Sequence, residues 1–88
     1  MTDKELTELI NKRTFSAGEL SILSQCKSRI KTYIVTFDDG IEEVEELKST
    51  SDLSILEYLN TNYMTEHIIR IQEKLTTYRE VDYSFKQS

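Results

Sequence analysis

Proline is absent from this chain, and glycine occurs only at Gly18 and Gly40. No X–Pro isomerisation can therefore slow folding, and no glycine-rich phosphate loop can be built. With no Pro- or Gly-rich stretch there is no place for a flexible linker, so the 88 residues are expected to form a single domain, 1–88. Cysteine and histidine occur once each, as Cys26 and His67. A lone thiol excludes an internal disulfide, and one thiol with one imidazole excludes a zinc centre of the usual Cys/His type. No apolar run approaches the roughly 20 residues that a membrane-spanning helix needs. Met1-Thr2-Asp3-Lys4-Glu5 places no apolar core behind a basic start, so no secretory signal is expected and the expected location is cytoplasmic. A Gly-x-Ser-x-Gly elbow is missing, and no nucleophile–base pair has supporting context. An enzyme is the least expected class, and no cofactor is expected.

What the chain has is acid, and it is concentrated. Asp38, Asp39, Glu42, Glu43, Glu45, Glu46, Asp52 and Glu57 face one base, Lys48, which leaves the block 38–57 at −7 while the whole chain carries −5. A local field of one sign attracts cationic partners and repels nucleic acid and anionic membrane. Apolar residues make up 38% and charged residues 31%, a balance that suits a folded domain with a modest core.

Periodicity divides the chain into elements. Thr2 and Glu5 have capping-box spacing, Met1 and Leu6 have staple spacing, and Leu6, Leu9 and Ile10 follow at i, i+3, i+4. Ser16 with Glu19 and Phe15 with Leu20 repeat both signals, and Leu20, Leu23, Cys26 and Ile30 continue one face. The spacing predicts helices over 3–13 and 17–30, with Cys26 a small buried apolar residue on the second. Thr32 to Phe37 is entirely β-branched or aromatic and predicts a strand. Asp38-Asp39-Gly40 then signals a hairpin, with Gly40 at positive φ. The return strand spans Ile41 to Leu47, with Ile41, Glu43, Glu45 and Leu47 on one side and Glu42, Val44 and Glu46 on the other. Four glutamates in seven residues are poor strand composition, so this strand is expected to be short and at an edge. Leu53, Leu56, Leu59 and Tyr63, with Ile55 alongside, predict a third helix over 52–62.

The last segment fits either period. As a helix, Ile68, Ile71 and Leu75 share a face; as strands, Ile69, Ile71, Leu75, Val81, Tyr83 and Phe85 do. The β-forming residues from Thr76 onward favour strands, including a fourth near 78–85, and place His67 partly exposed at a strand start. The expected fold is α+β: a small antiparallel sheet of three to four strands built around the hairpin, one helix packed on it, and two N-terminal helices alongside.

Six residues form the candidate partner-binding surface: Asp38, Asp39, Glu42, Glu43, Glu45 and Glu46. Nothing in the sequence builds a pocket that would shift one carboxyl against another for acid–base work, and the spacing does not follow a calcium loop. Charges on an edge strand also protect a sheet from aggregation. Fewer would serve that purpose, and like charges facing one another cost stability. A rigid hairpin carrying carboxylates at fixed spacing suits the basic groove of a nucleic-acid-binding protein, because Arg and Lys bind carboxylate and phosphate alike. Tyr33, Phe37, Tyr58 and Tyr63 read as core residues that can also anchor a partner. In size and charge the chain resembles small phage-encoded inhibitors, including anti-CRISPR proteins that imitate DNA. That likeness implies a non-enzymatic inhibitor or modulator acting without direct contact to nucleic acid or membrane. Two other readings stand beside it. Lys12, Arg13, Lys27, Arg29 and Lys31 in two short helices suggest a helix-turn-helix DNA-binding regulator, although the turn lacks its usual glycine. The aromatic tail, Tyr78, Tyr83 and Phe85, suggests a self-associating accessory protein, a homodimer paired through an open strand edge.

Overall fold

A computed structural model describes residues 2–83 of the chain. Both capping boxes form. The Thr2 hydroxyl accepts the Glu5 N–H at 3.2 Å while the Glu5 carboxylate accepts the Thr2 N–H at 3.3 Å, opening α1 (Asp3–Ile10). Ser16 and Glu19 do the same at 3.3 and 2.9 Å, opening α2 (Ala17–Cys26). The two orphan N–H groups satisfied at each site fix where the helices start. Their ends fall short of the predicted 13 and 30. Asn11 leaves α1 to bridge two elements: its Nδ2 donates to the carbonyls of Thr7 (2.9 Å) and Lys48 (2.7 Å), and its Oδ1 accepts the Lys48 N–H (2.9 Å). Beyond Cys26 the chain tightens into a single 3-10 turn, Lys27–Arg29. The staple proposed for Met1 lies outside the described residues.

The sheet runs β1 (Lys31–Asp38), β2 (Glu42–Ser49), β3 (Ile68–Lys74) and β4 (Tyr78–Glu80), arranged β2-β1-β3-β4 with every pair antiparallel. Between β2 and β3, α3 (Asp52–Asn62) crosses one face, capped by the Ser51 hydroxyl and coincident with the predicted 52–62. The α+β class read from the sequence is the observed one. Tyr33 and Val35 of β1, Leu47 of β2, Ile68 and Ile71 of β3, and Ile55 and Leu59 of α3 form the main core, with Val81 closing it. Smaller and separate, a second cluster joins Leu6, Leu9 and Ile10 of α1 to Phe15, Ile22, Leu23, Cys26 and Ile30. Thr7 and Ser49 bind α1 to the sheet through a buried hydroxyl pair at 2.8 Å.

Four expectations are corrected. Expected to be short, β2 instead pairs over eight residues, from Asp38↔Glu42 to Lys31↔Ser49. The β-rich partner β1 supplies the ladder, and solvent takes up the glutamate charges, so context overrides propensity. In α3 the buried pair is Ile55 and Leu59, while Leu53 is 68% exposed. Leu56 and Tyr63 pack on the core beside that pair as the stripe predicts, so only Leu53, in the first turn, departs from it. On β3 the register slips, with Thr36 facing Arg70 and Phe37 facing Ile68. That bulge reverses the inside–outside alternation, so Ile68 and Ile71 are both buried while Ile69 stays exposed; Leu75 is exposed because it lies beyond the end of the strand. Cys26 is only partly buried, because it packs on the rim of the small cluster around α1 and not in the main core. The predicted fourth strand is seen at Tyr78–Glu80; Phe85 lies outside the described residues.

Candidate functional site

The hairpin end of the sheet carries the acidic residues, and α3 aims its C-terminus at the same end. β1 delivers Phe37 and Asp38 to the turn, a three-residue loop Asp39-Gly40-Ile41 reverses the chain, and β2 returns with Glu42 to Glu46. Gly40 has φ +113°, a conformation that side-chain-bearing residues rarely adopt. Its N–H donates to the Asp38 carboxylate at 3.0 Å, closing an Asx-type turn.

The pleat divides the acidic residues between two faces. Glu43 pairs with Phe37 and Glu45 with Val35, on the face that carries α3; Glu42 pairs with Asp38 and Glu46 with Ile34, on the opposite face. All six candidate residues are solvent-exposed. Among the described residues the ion pairs are Lys12–Glu19, Arg29–Asp3, Arg79–Asp52 and Arg79–Glu73, so no internal cation neutralises any of the six. Neither do three or more His, Cys, Asp or Glu side chains converge as metal ligands among the described residues.

On the helical face the acid meets aromatic surface. Phe37 stacks on Tyr63, the residue that caps α3, with ring centroids 5.3 Å apart and planes inclined at 27°. Tyr58, one turn earlier, tilts against Tyr63 at 6.1 Å. Past Tyr63 the chain makes a 3-10 turn, Thr65–His67, in which the His67 N–H donates to the Met64 carbonyl at 3.1 Å. Phe37, Asp39, Glu43, Glu45, Tyr63, Met64 and His67 thereby enclose an open cleft of about 190 Å³. Burial, and then the adjoining Glu45 carboxylate, push the Tyr63 phenol above its ordinary range. Burial and the charges of Glu45 and Glu8 raise Tyr58 as well.

Half of the expected site therefore comes together with an aromatic floor, namely Asp39, Glu43 and Glu45. Asp38, Glu42 and Glu46 face the other way. Tyr63 and Phe37, read mainly as core, are half-buried: they pack on the core and also line the cleft. No sequence signal pointed to Met64 or His67, which reach the cleft only because α3 ends there. Elsewhere, two bases of the helix-turn-helix reading are engaged: Lys12 with Glu19 at 2.6 Å and Arg29 with Asp3 at 3.0 Å. Of the aromatic tail, Tyr83 packs on the core and donates its hydroxyl to the Ile68 carbonyl at 3.0 Å, leaving Tyr78 exposed. No described helix is long and apolar enough to cross a membrane. Neither a protein family, nor a curated protein, nor a solved structure matches the chain.

Proposed function

We propose that this is a cytoplasmic, non-enzymatic binding protein that occupies the basic surface of a nucleic-acid-binding protein and so inhibits or modulates it. One observation carries the reading: the acidic edge strand is fully formed, exposed from Glu42 to Glu46 and free of internal cations among the described residues. A strand advances about 3.4 Å per residue, close to the axial charge spacing of one DNA strand, also about 3.4 Å. Glu42, Glu43, Glu45 and Glu46 fill four of five successive positions, so the edge offers nearly that charge density on a rigid support. Because the carboxylates project to both faces, a groove that clasps the edge meets all of them. Arg and Lys evolved for phosphate would accept the array with the same charge-assisted bonds.

A tagged pull-down from a nuclease-treated bacterial lysate at low salt tests this, run beside the variant E42K/E43K/E45K/E46K. Wild type is expected to capture a basic nucleic-acid-binding protein that the variant loses while its circular dichroism is unchanged. Equal capture by both proteins would sink the reading. In a low-salt gel shift the chain itself is expected to leave DNA unretarded; retardation would favour the helix-turn-helix alternative.

A further inference from the structure

The cleft differs from the remaining acidic surface in having a floor and an end wall. Its floor is the Phe37–Tyr63 ring pair, its rim is Asp39, Glu43 and Glu45, and its end wall is the C-terminus of α3 with Met64. Each part selects for positive charge by separate physics. Carboxylates attract a cation by Coulomb forces. Aromatic rings attract one through their quadrupole. A helix C-terminus carries the negative end of the macrodipole, and α3 has no basic residue in its last turn to offset it. An anion is repelled by all three, and a neutral apolar occupant would desolvate the rim carboxylates without compensation. A hard metal ion gains nothing from Phe, Tyr and Met in the floor and wall. At about 190 Å³ the cleft has room for roughly six waters at ~30 Å³ each, or for one long side chain.

We propose that this cleft is a receptor for a single arginine side chain of the basic partner, with the guanidinium held by Glu43 and Glu45 against the Phe37–Tyr63 pair. The inference rests on the reading that the acidic edge docks a basic surface, and it names the residue that the partner inserts. Arginine is chosen over lysine on geometry. Glu43 and Glu45 occupy alternate positions of one strand face, about 7 Å apart along the strand, which a planar fork with five donors can span while it stacks on a ring. An ammonium is a strongly hydrated point charge and does neither.

The test is a titration of the intact chain with N-acetyl-arginine amide, followed by backbone amide chemical shifts, with N-acetyl-citrulline amide as the neutral isostere and the lysine compound in parallel. Saturable shifts are expected at Phe37, Glu43, Glu45, Tyr63 and His67 with the arginine compound, weaker ones with lysine, and none with citrulline. E43Q/E45Q, which removes both charges but leaves an amide oxygen beside the Tyr63 phenol, is expected to weaken arginine binding by about tenfold or more, against less than about twofold for E42Q/E46Q on the other face. Equal loss in both variants, or arginine shifts spread over all the carboxylates without saturation, would overturn the proposal. No partner is needed, so the two readings fail separately. Saturable arginine binding with no basic protein captured from lysate removes the docking reading and leaves the receptor standing. Capture lost in the Lys variant, with no saturable arginine binding, removes the receptor alone.

Discussion

Arg79 joins three parts of the molecule that are distant in sequence. Its guanidinium donates to both oxygens of Asp52 at 2.8 and 3.0 Å and to Glu73 at 2.6 Å, and Asp52 also accepts the Tyr33 hydroxyl at 2.8 Å. The short strand β4 is thereby tied to the start of α3 and to the middle of the sheet. Glu73 is buried, so R79A leaves a carboxylate in the interior without its cation. Because Arg79 is itself solvated, the cost falls below that of a fully buried pair and is read as a lower urea midpoint. Burial alone would raise the Asp52 carboxyl, but the hydrogen bonds from Arg79 and Tyr33 and the Arg79 charge outweigh it and hold it below its ordinary 3.8. A lowered folded-state pKa gives stability that is present above pH ~4 and lost as pH falls through the folded value. D52N is expected to flatten that acid limb of a stability–pH profile; an unchanged limb would place the acid sensitivity elsewhere. The tyrosines have the opposite sign. Burial first, and then Asp52 for Tyr33 and Glu45 for Tyr63, raise both phenols above 10.0, so stability is full below that pH and declines above it as the unfolded chain ionises. Thermal midpoints taken across the alkaline range, with tyrosinate absorbance recorded alongside, are expected to show both phenols ionising only with unfolding. None of this network was legible in the sequence, because the meeting of residues 33, 52, 73 and 79 depends on strand register.

Elements were more legible, and the reason is local chemistry. Thr2/Glu5 and Ser16/Glu19 are reciprocal hydrogen-bonding pairs four residues long, and Asp38-Asp39-Gly40 is a turn whose geometry one glycine sets. Signals of that range survive whatever the rest of the chain does. What failed needed a neighbour: the length of β2 depends on β1, the exposure of Leu53 on where the core meets α3, and the inward side of β3 on the bulge opposite Thr36/Phe37. In the candidate site the alternation that separates Glu42 and Glu46 from Glu43 and Glu45 was legible, but only the end of α3 decides which face holds an aromatic floor, and that needs the tertiary structure. The two glycines offer a test of opposite signs. Gly18 lies in the first turn of α2 with nothing within 4 Å of an added Cβ, so G18A is expected to stabilise by about 0.5 kcal/mol. Gly40 also has open space, but its φ of +113° makes G40A strained, at about 1–2 kcal/mol destabilising. Urea midpoints that moved in the same direction would contradict this assignment of helix and turn. Element by element, stability is uneven too. α2 has no buried residue and leans only on α1 and its flanks, so its amides are expected to exchange with solvent well before those of β1, whose Tyr33 and Val35 are fully buried.

At the scale of the whole molecule, the acidic end opposes folding, and the proposed docking role would set that cost against binding. The chain carries −5 overall and −7 within residues 38–57, and the register sets Asp38 directly across from Glu42 on an exposed edge. Facing like charges cost a few tenths to about 1 kcal/mol, and their reach shrinks from about 30 Å at 0.01 M salt to about 10 Å at 0.1 M. Salt is therefore expected to raise the unfolding midpoint of the free chain, and E42Q/E43Q/E45Q/E46Q is expected to start higher and respond less. Association with a basic partner has the opposite slope, because the same screening removes the attraction and the steering. A carboxylate array kept only for solubility would give the first slope and not the second. A docking surface gives both, from the same four residues, with the neutralised variant more stable and less able to bind. Measuring the unfolding midpoint and partner capture over one salt series, on wild type and on the Gln variant, sets the two slopes side by side. If the variant gained stability yet kept its partner, the acidic edge would be excluded as the binding surface. If it gained stability and lost the partner, the repulsion built into this hairpin would be explained by what it binds.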